Sequence, residues 1–97
     1  MKFEEVWQLL RKIPRGKVTT YGLIAKKLHS KGYRAVGTAC NRNPYSPAAA
    51  CHRVVCSDGS IGGFASGIKK KILLLEKEGV KVKNGKVVDF EKVLFKF

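Results

Sequence analysis

The 97 residues suffice for one folded domain, 1–97, and are too few for two. Hydrophobic residues make up 44% of the chain, which argues against disorder, and no apolar run approaches the roughly 20 residues that span a bilayer. Twenty Lys and Arg against seven Asp and Glu give a net charge of +13. Such an excess attracts polyanions, most commonly nucleic acid, although it also fits a lysine-rich surface without that role.

The cysteines and the N-terminal residues indicate in which cellular compartment the protein is expected. Cys40, Cys51 and Cys56 form an odd set without a CxxC pair, which argues for free thiols and against a metal site. Glu4 and Glu5 stand where a signal peptide would be apolar. We therefore expect a cytoplasmic or nucleoid-associated protein with no membrane partner.

Hydrophobic spacing predicts three helices in the first half of the chain: Phe3 to Ile13, about Tyr21 to Leu28, and Arg34 to Arg42. Pro14-Arg15-Gly16 ends the first helix, and Thr19 or Thr20 can cap the second. The third is rich in small residues and follows a short turn at 30–32. Two helices joined by such a turn are typical of a helix-turn-helix.

The second half is predicted to mix short extended segments with one further helix. The segments are an apolar, mostly extended run over Ala48–Val55, a turn at Ser57–Ser60, a loop over Ile61–Gly67, a helix over Ile68–Glu78 and a hairpin of Val80–Val82 with Val87–Val88. Gly79 is placed for a helix C-cap, and Asn84-Gly85 for a hairpin turn. We expect 93–97 to pack back on the core of a mainly α protein with short strands, a winged-helix-like helix-turn-helix domain.

One tripeptide carries groups for nucleophilic chemistry. Cys51 offers a thiol that is reactive as thiolate, and His52 could take its proton directly or through a water. Neighbouring side chains on a strand point to opposite faces, so a water or a bent backbone is needed. Glu76 or Glu78 could orient the imidazole. Taken alone, the tripeptide is better explained as a buried structural cysteine beside a surface His-Arg pair.

Six motifs in fixed order change that balance. They are Thr20-Tyr21-Gly22, Arg34-Ala35-Val36-Gly37, Asn43-Pro44, Ala50-Cys51-His52-Arg53-Val54-Val55-Cys56, Gly62-Gly63-Phe64-Ala65-Ser66-Gly67 and Leu74-Leu75-Glu76-Lys77-Glu78-Gly79. In this order the chain, from about Phe3 to about Val82, resembles the catalytic, DNA-binding, C-terminal domain of the O6-alkylguanine-DNA alkyltransferases, also called methylated-DNA–protein-cysteine methyltransferases. The combination is specific, whereas each motif alone is weak.

The resemblance implies roles for five catalytic residues. Cys51 matches the alkyl acceptor, His52 the histidine that relays its proton through a water, and Glu78 the acid that orients this histidine. Asn43 matches the asparagine that supports the active-site turn. Tyr21 matches the tyrosine that helps neutralise the departing guanine and helps rotate the phosphate.

The resemblance also implies how DNA is held. Arg34 matches the finger that enters the base stack after the nucleotide has left. Other DNA-facing positions on the third helix are Tyr33, Ala35, Gly37 and Thr38. The substrate pocket is implied for the Val54 carbonyl and for Phe64, Ala65 and Ser66.

The implied function is direct-reversal DNA repair. The alkyl group of O6-alkylguanine in double-stranded DNA passes irreversibly to Cys51 after base flipping, in a single turnover without cofactor. We expect a monomer that lacks the N-terminal domain of the family. Ala50 replaces the family's usual Pro, and Ser66 predicts faster transfer of methyl than of benzyl groups, which a comparison of the two rates tests.

Three alternatives remain: a non-catalytic, alkyltransferase-like lesion binder, a helix-turn-helix regulator, and a Cys-His hydrolase. Such lesion binders typically lack the reactive cysteine. Repair requires a Cys51 thiol that solvent can reach, with the imidazole and the late-helix carboxylate close to it. We interpret Arg53 as a scaffold ion-pair partner, Cys40 and Cys56 as structural, and Lys69–Lys71 as a solvated face.

Overall fold

The computed structural model describes residues 2–29, 32–42, 51–62 and 67–97. Its elements are α1 (Phe3–Leu10), β1 (Thr19–Thr20), α2 (Tyr21–Lys27), α3 (Tyr33–Asn41), a 3-10 turn (Cys51–Arg53), β2 (Val54–Val55), α4 (Ile68–Lys77), β3 (Val82–Lys83), β4 (Lys86–Val87) and α5 (Phe90–Val93). The predicted class, mainly helical with short strands, is confirmed. Within the described ranges, no helix has the length and apolarity to cross a membrane.

Helix α1 buries one apolar face against α3. Val6, Leu9 and Leu10 are buried, as their i, i+3, i+4 spacing predicts, and the Trp7 indole N–H donates to the Ala39 carbonyl at 2.9 Å. The α-helix ends at Leu10, three residues before the predicted end. The amides of Lys12 and Ile13 bond three residues back instead of four, so the last turn tightens while Ile13 still enters the core.

Helices α2 and α3 form the predicted pair. Of the two candidate caps, Thr20 is the one used, since its hydroxyl oxygen accepts the Leu23 amide at 3.0 Å. Helix α3 turns Val36, Ala39 and Cys40 into the core. Its exposed side is thereby left to polar and small residues.

The segment after α3 departs most from expectation. Residues 48–50 of the predicted extended run lie outside the described residues, and Cys51–Arg53 form a 3-10 turn, not a strand. Only Val54–Val55 are extended. They pair in parallel with Thr19–Thr20, which was predicted only as a cap region. This pairing anchors the turn to the start of α2.

The C-terminal third follows the predictions closely. Gly79 takes the left-handed conformation, φ +88°, after α4, and Asn84 and Gly85 take it at the hairpin turn, φ +52° and +74°. The tail packs back as expected, because the Phe95 amide donates to the Val18 carbonyl at 2.6 Å. Helix α5 was not predicted.

Candidate active site

The 3-10 turn places a thiol, an imidazole and a guanidinium side by side. Cys51 and His52 are buried, with 5% and 4% of their surfaces exposed, and Arg53 is partly buried. The turn supplies the bent backbone that two adjacent residues need in order to share a site. Cys51 is therefore a buried residue, which counts against the expectation of a thiol that solvent can reach.

Glu78, at the C-cap of α4, binds both neighbours of Cys51. One carboxylate oxygen lies 2.9 Å from His52 Nε2, and Arg53 donates two hydrogen bonds, Nε at 2.7 Å and Nη2 at 2.6 Å. The third Arg53 nitrogen, Nη1, donates to the Ile13 carbonyl at 2.7 Å. The Arg53 guanidinium therefore links Glu78 to Ile13, just after the end of α1. Arg53 thus serves as a scaffold, as predicted.

Glu78 is not an ordinary helix-end acid. Its side chain is only 8% exposed, and a carboxylate at a helix C-terminus is disfavoured by the helix dipole. Burial acts to raise its pKa, but the hydrogen bonds from Arg53 and His52 outweigh burial and hold the pKa at about 2. Glu78 is thus ionised at neutral pH. Between the two acids left open by the sequence, the geometry selects Glu78, since Glu76 is exposed.

His52 is arranged as a neutral base. Burial is the main cause that lowers its pKa below the usual 6.5, against the opposing hydrogen bond and charge of Glu78. Because the ionised carboxylate accepts the Nε2 proton, Nδ1 carries the lone pair. Nδ1 is buried and has no hydrogen-bond partner among the described residues. That nitrogen can accept a proton.

Lys71 corrects the prediction of a solvated lysine face. Lys69 and Lys70 are exposed, but Lys71 is 0% exposed. Its ammonium donates to the Ile61 carbonyl at 2.6 Å and lies 5.9 Å from the centre of the Tyr21 ring. Burial lowers its pKa from 10.5 to about 8, although the charges of the three nearby cysteines oppose that shift. Lys71 thus places a buried positive charge near the thiols.

The position of Lys71 was visible in the sequence as periodicity. Lys71, Leu75 and Glu78 stand at i, i+4 and i+7, which is one face of α4. A buried Leu75 and an inward Glu78 therefore require Lys71 to face inward too. The pattern was overlooked because three consecutive lysines are normally exposed to solvent.

Tyr21 and Cys56 lie together next to Gly62. A Cβ built on Gly62 would stand 3.1 Å from Cys56 Sγ and 3.8 Å from the Tyr21 hydroxyl, and Gly62 has φ +71°. Burial, reinforced by the charge of Cys40, raises the pKa of Tyr21 above its usual value. The hydroxyl keeps its proton and can donate a hydrogen bond.

Cys40 is unsuited to be the nucleophile. Burial raises its pKa to about 12, and the nearby charge of Cys51 adds to this effect. The thiol form, which is unreactive, therefore dominates at neutral pH. In the described part of the chain, no group of three potential metal ligands is found.

The exposed side of α3 carries the predicted DNA-facing residues. Arg34 and Thr38 are exposed, Ala35 and Gly37 are partly buried, and the Thr38 hydroxyl donates to the Arg34 carbonyl at 3.0 Å. A Cβ added at Gly37 would meet nothing within 4 Å. Tyr33 begins the helix. This side of α3 therefore carries a guanidinium in its first turn and open space at Gly37.

Part of the predicted site lies outside the described residues. This holds for Asn43, Ala50, Phe64, Ala65 and Ser66, so their roles stay predictions. Val54 is described, in β2, with a fully buried side chain. Any contact of Val54 with a substrate is thereby limited to its backbone.

A family model for the 6-O-methylguanine DNA methyltransferase, DNA binding domain, matches residues 2–80. A methylated-DNA–protein-cysteine methyltransferase of Methanosarcina mazei is 47% identical over 81 residues, which is 80% of this chain and 51% of that protein. The chain spans about half the length of the curated methyltransferases that it matches most strongly.

Two solved structures share the fold. The O6-methylguanine-DNA methyltransferase from Pyrococcus kodakaraensis KOD1 aligns with a TM-score of 0.74 and 51% identity, over 80% of this chain and 46% of that one. Schizosaccharomyces pombe Atl1, solved with damaged DNA containing O6-carboxymethylguanine, aligns with a TM-score of 0.86 and 28% identity. That alignment covers 98% of this chain and 94% of Atl1.

Proposed function

The chain belongs to the family of the 6-O-methylguanine DNA methyltransferase DNA-binding domain, and from this premise we propose that it repairs O6-alkylguanine in duplex DNA. The alkyl group is transferred irreversibly to Cys51. The observation that carries the proposal is the contact of Glu78 with His52 at 2.9 Å, where His52 directly follows Cys51 in the sequence. We assign the chain to the catalytic, C-terminal part of the family.

The chemical step begins with the thiol proton. Cys51 loses it to Nδ1 of His52, directly or through a water, while Glu78 holds Nε2 and stabilises the imidazolium that forms. The sulfur then bonds to the alkyl carbon, and the carbon–oxygen bond breaks with its electron pair going to O6 of guanine. Tyr21 donates a hydrogen bond to the departing base. Since a thioether is stable, one molecule repairs one lesion.

The alkyl carbon is out of reach while the base is stacked. The nucleotide has to be extruded, which costs a few kcal/mol of stacking and pairing. Arg34, exposed in the first turn of α3, offsets part of this cost by entering the vacated stack. Because Cys51 is buried, transfer also requires that the side chains covering the thiol move aside when the extruded base arrives.

An intact-mass measurement tests the proposal. The protein is incubated with a duplex that contains one O6-methylguanine, alongside the variants Cys51→Ala and Cys56→Ala. We expect a gain of one CH2 per protein in the unmodified chain and in Cys56→Ala, and none in Cys51→Ala. A gain that persists in Cys51→Ala would refute the assignment.

A lesion-binding protein without transfer is the second candidate. The similarity in fold to Atl1, which aligns with a TM-score of 0.86 and was solved with damaged DNA containing O6-carboxymethylguanine, favours it. The assembled Cys51, His52 and Glu78 favour transfer. Tight binding to the O6-methylguanine duplex without any gain in mass would decide for the second candidate.

A further inference from the structure

A basic cavity lies at the C-terminal end of α2, apart from the cysteine site. It has a volume of about 360 Å³. Its lining residues are Leu23, Lys26, Lys27, His29, Lys96 and Phe97. Three ammonium groups and an imidazole thus surround an apolar floor, and none of the lining residues carries a negative side chain.

The charge of this cavity is not compensated nearby in the sequence. Between Val6 and Ser57 the chain contains ten Lys and Arg and no Asp or Glu. Lys26, Lys27 and Lys96 are exposed, and both ion pairs found among the described residues end on Glu78 instead. The backbone carboxylate of Phe97 supplies one negative charge at the cavity, so its three lysines keep a net positive charge that an anion from outside the chain can compensate.

The local backbone fixes the basic groups around the cavity. Lys26 and Lys27 occupy the last turn of α2, where the negative end of the helix dipole favours cations. His29 follows with a left-handed φ of +55°, a conformation that glycine adopts more easily, and its amide donates to the Lys26 carbonyl at 3.1 Å. On the other side, Phe97 packs against the core cluster.

The cavity lies close to the start of α3. Gly32, the N-cap of α3, follows His29 by three positions, so the Cα atoms of the two residues are at most about 11 Å apart. Duplex DNA carries one negative charge per roughly 1.7 Å of axis. A duplex seated on the first turn of α3, where Arg34 stands, therefore presents several phosphates within a distance of this size.

We propose that this cavity binds phosphates of the DNA backbone beside the segment that holds the lesion. The inference rests on the proposed function, since it takes duplex DNA as the partner. The bound group is a phosphodiester, which contributes affinity and register but no sequence or lesion preference. The cavity accordingly strengthens binding to damaged and undamaged duplexes alike.

Salt dependence of DNA binding tests the proposal. Affinity for a labelled duplex, with and without O6-methylguanine, is measured by fluorescence anisotropy over a salt series. The cavity variant Lys26→Gln/Lys27→Gln/Lys96→Gln is compared with a hairpin variant of equal charge, Lys81→Gln/Lys83→Gln/Lys86→Gln, whose three lysines are also exposed. Each lost phosphate contact lowers the slope of log affinity against log salt by about 0.9.

We expect the slope of log affinity against log salt to fall in magnitude by about 2 to 3 for the cavity variant on both duplexes. For the hairpin variant we expect a decrease of less than about 1. Equal losses in the two variants would show a general charge effect and overturn the proposal, as would an unchanged slope in the cavity variant. A second comparison, between the single variants Lys27→Gln and Lys83→Gln, repeats the test with one positive charge removed from each protein. Failure of the unmodified protein to bind DNA would instead contradict the proposed function.

Discussion

The cysteine site and the α2–α3 face use charge in opposite ways. At the site, Glu78 is nearly buried and contacts both His52 and Arg53, so charge fixes atoms in place. In α2 and α3, basic side chains such as Lys27 and Arg34 are exposed in a stretch of sequence without acids, so their positive charge is available to a polyanion. A single small domain thus pairs its buried charges in one region and leaves exposed charges uncompensated in another.

The largest effect is expected from breaking the buried charge cluster. Glu78→Gln removes the negative charge that orients and stabilises the His52 imidazolium. We expect the transfer rate to fall by about 100- to 1,000-fold, since positioned proton transfer contributes rate factors of this size. Single-turnover transfer from the O6-methylguanine duplex measures it.

Glu76→Gln is the matched control, because it changes the same residue type on the exposed side of α4. It should react at the rate of the unmodified protein. Equal slowing of both variants would mean that Glu78 acts through general charge and not through its contact with His52.

In the first turn of α3, Arg34→Ala should slow transfer from duplex DNA by about 10- to 100-fold. The reason is that about 1 to 3 kcal/mol of the extrusion cost is no longer offset. Arg42→Ala, which removes the same charge at the exposed C-cap of α3, should have a smaller effect. Rates on a duplex and on the free O6-methylguanine base separate base flipping from chemistry. A similar slowing on the free base would contradict the finger role.

Lys71→Met probes the buried ammonium through stability. The pKa of Lys71 is lowered to about 8 in the folded chain, from 10.5. Between these values the unfolded chain binds more protons, so the Lys71 contribution to the free energy of unfolding rises with pH. We expect the stability of Lys71→Met relative to the unmodified protein to fall by on the order of 2 kcal/mol from pH 8 to 10.5.

Urea unfolding across this pH range measures the difference, and both proteins keep the same cysteines and Tyr21. Lys70→Met, at the exposed neighbouring position, should show a constant difference. A constant difference for Lys71→Met as well would contradict the depressed pKa.

The smallest effect is expected on α3, where Gly37→Ala separates folding from DNA contact. A Cβ at this position meets no protein atom within 4 Å, so the variant should be about 0.5–1 kcal/mol more stable through its helix propensity. If DNA approaches α3 closely, the same methyl group should weaken duplex binding by about 3- to 10-fold, or about 1 kcal/mol. Thermal melting and anisotropy measure the two effects. Unchanged binding would place Gly37 away from the DNA.

Local signals made most of the fold predictable. The cap at Thr20, the Asn84-Gly85 turn and Gly79 each depend on a few neighbouring residues, and these predictions are confirmed. The parallel pairing of β1 with β2 is a contact between distant segments. No local pattern of two-residue strands reveals it.

The candidate site was predictable in part. The family motif supplied Cys51, His52 and Glu78, and of these Glu78 and His52 lie in contact at 2.9 Å. The residues alone left Glu76 and Glu78 equivalent, because only the register of α4 on the core distinguishes them. The buried Lys71 was missed, since a lysine run is normally solvated and only the packing of Leu75 turns it inward.

The most direct test of the central claim locates the transferred group. The unmodified protein is reacted with the O6-methylguanine duplex, digested, and mapped by tandem mass spectrometry. If the His52–Glu78 pair activates its neighbour, the methyl group is found on Cys51, and Cys40 and Cys56 stay unmodified. Methyl on Cys40 or Cys56, with Cys51 unchanged, would contradict the account.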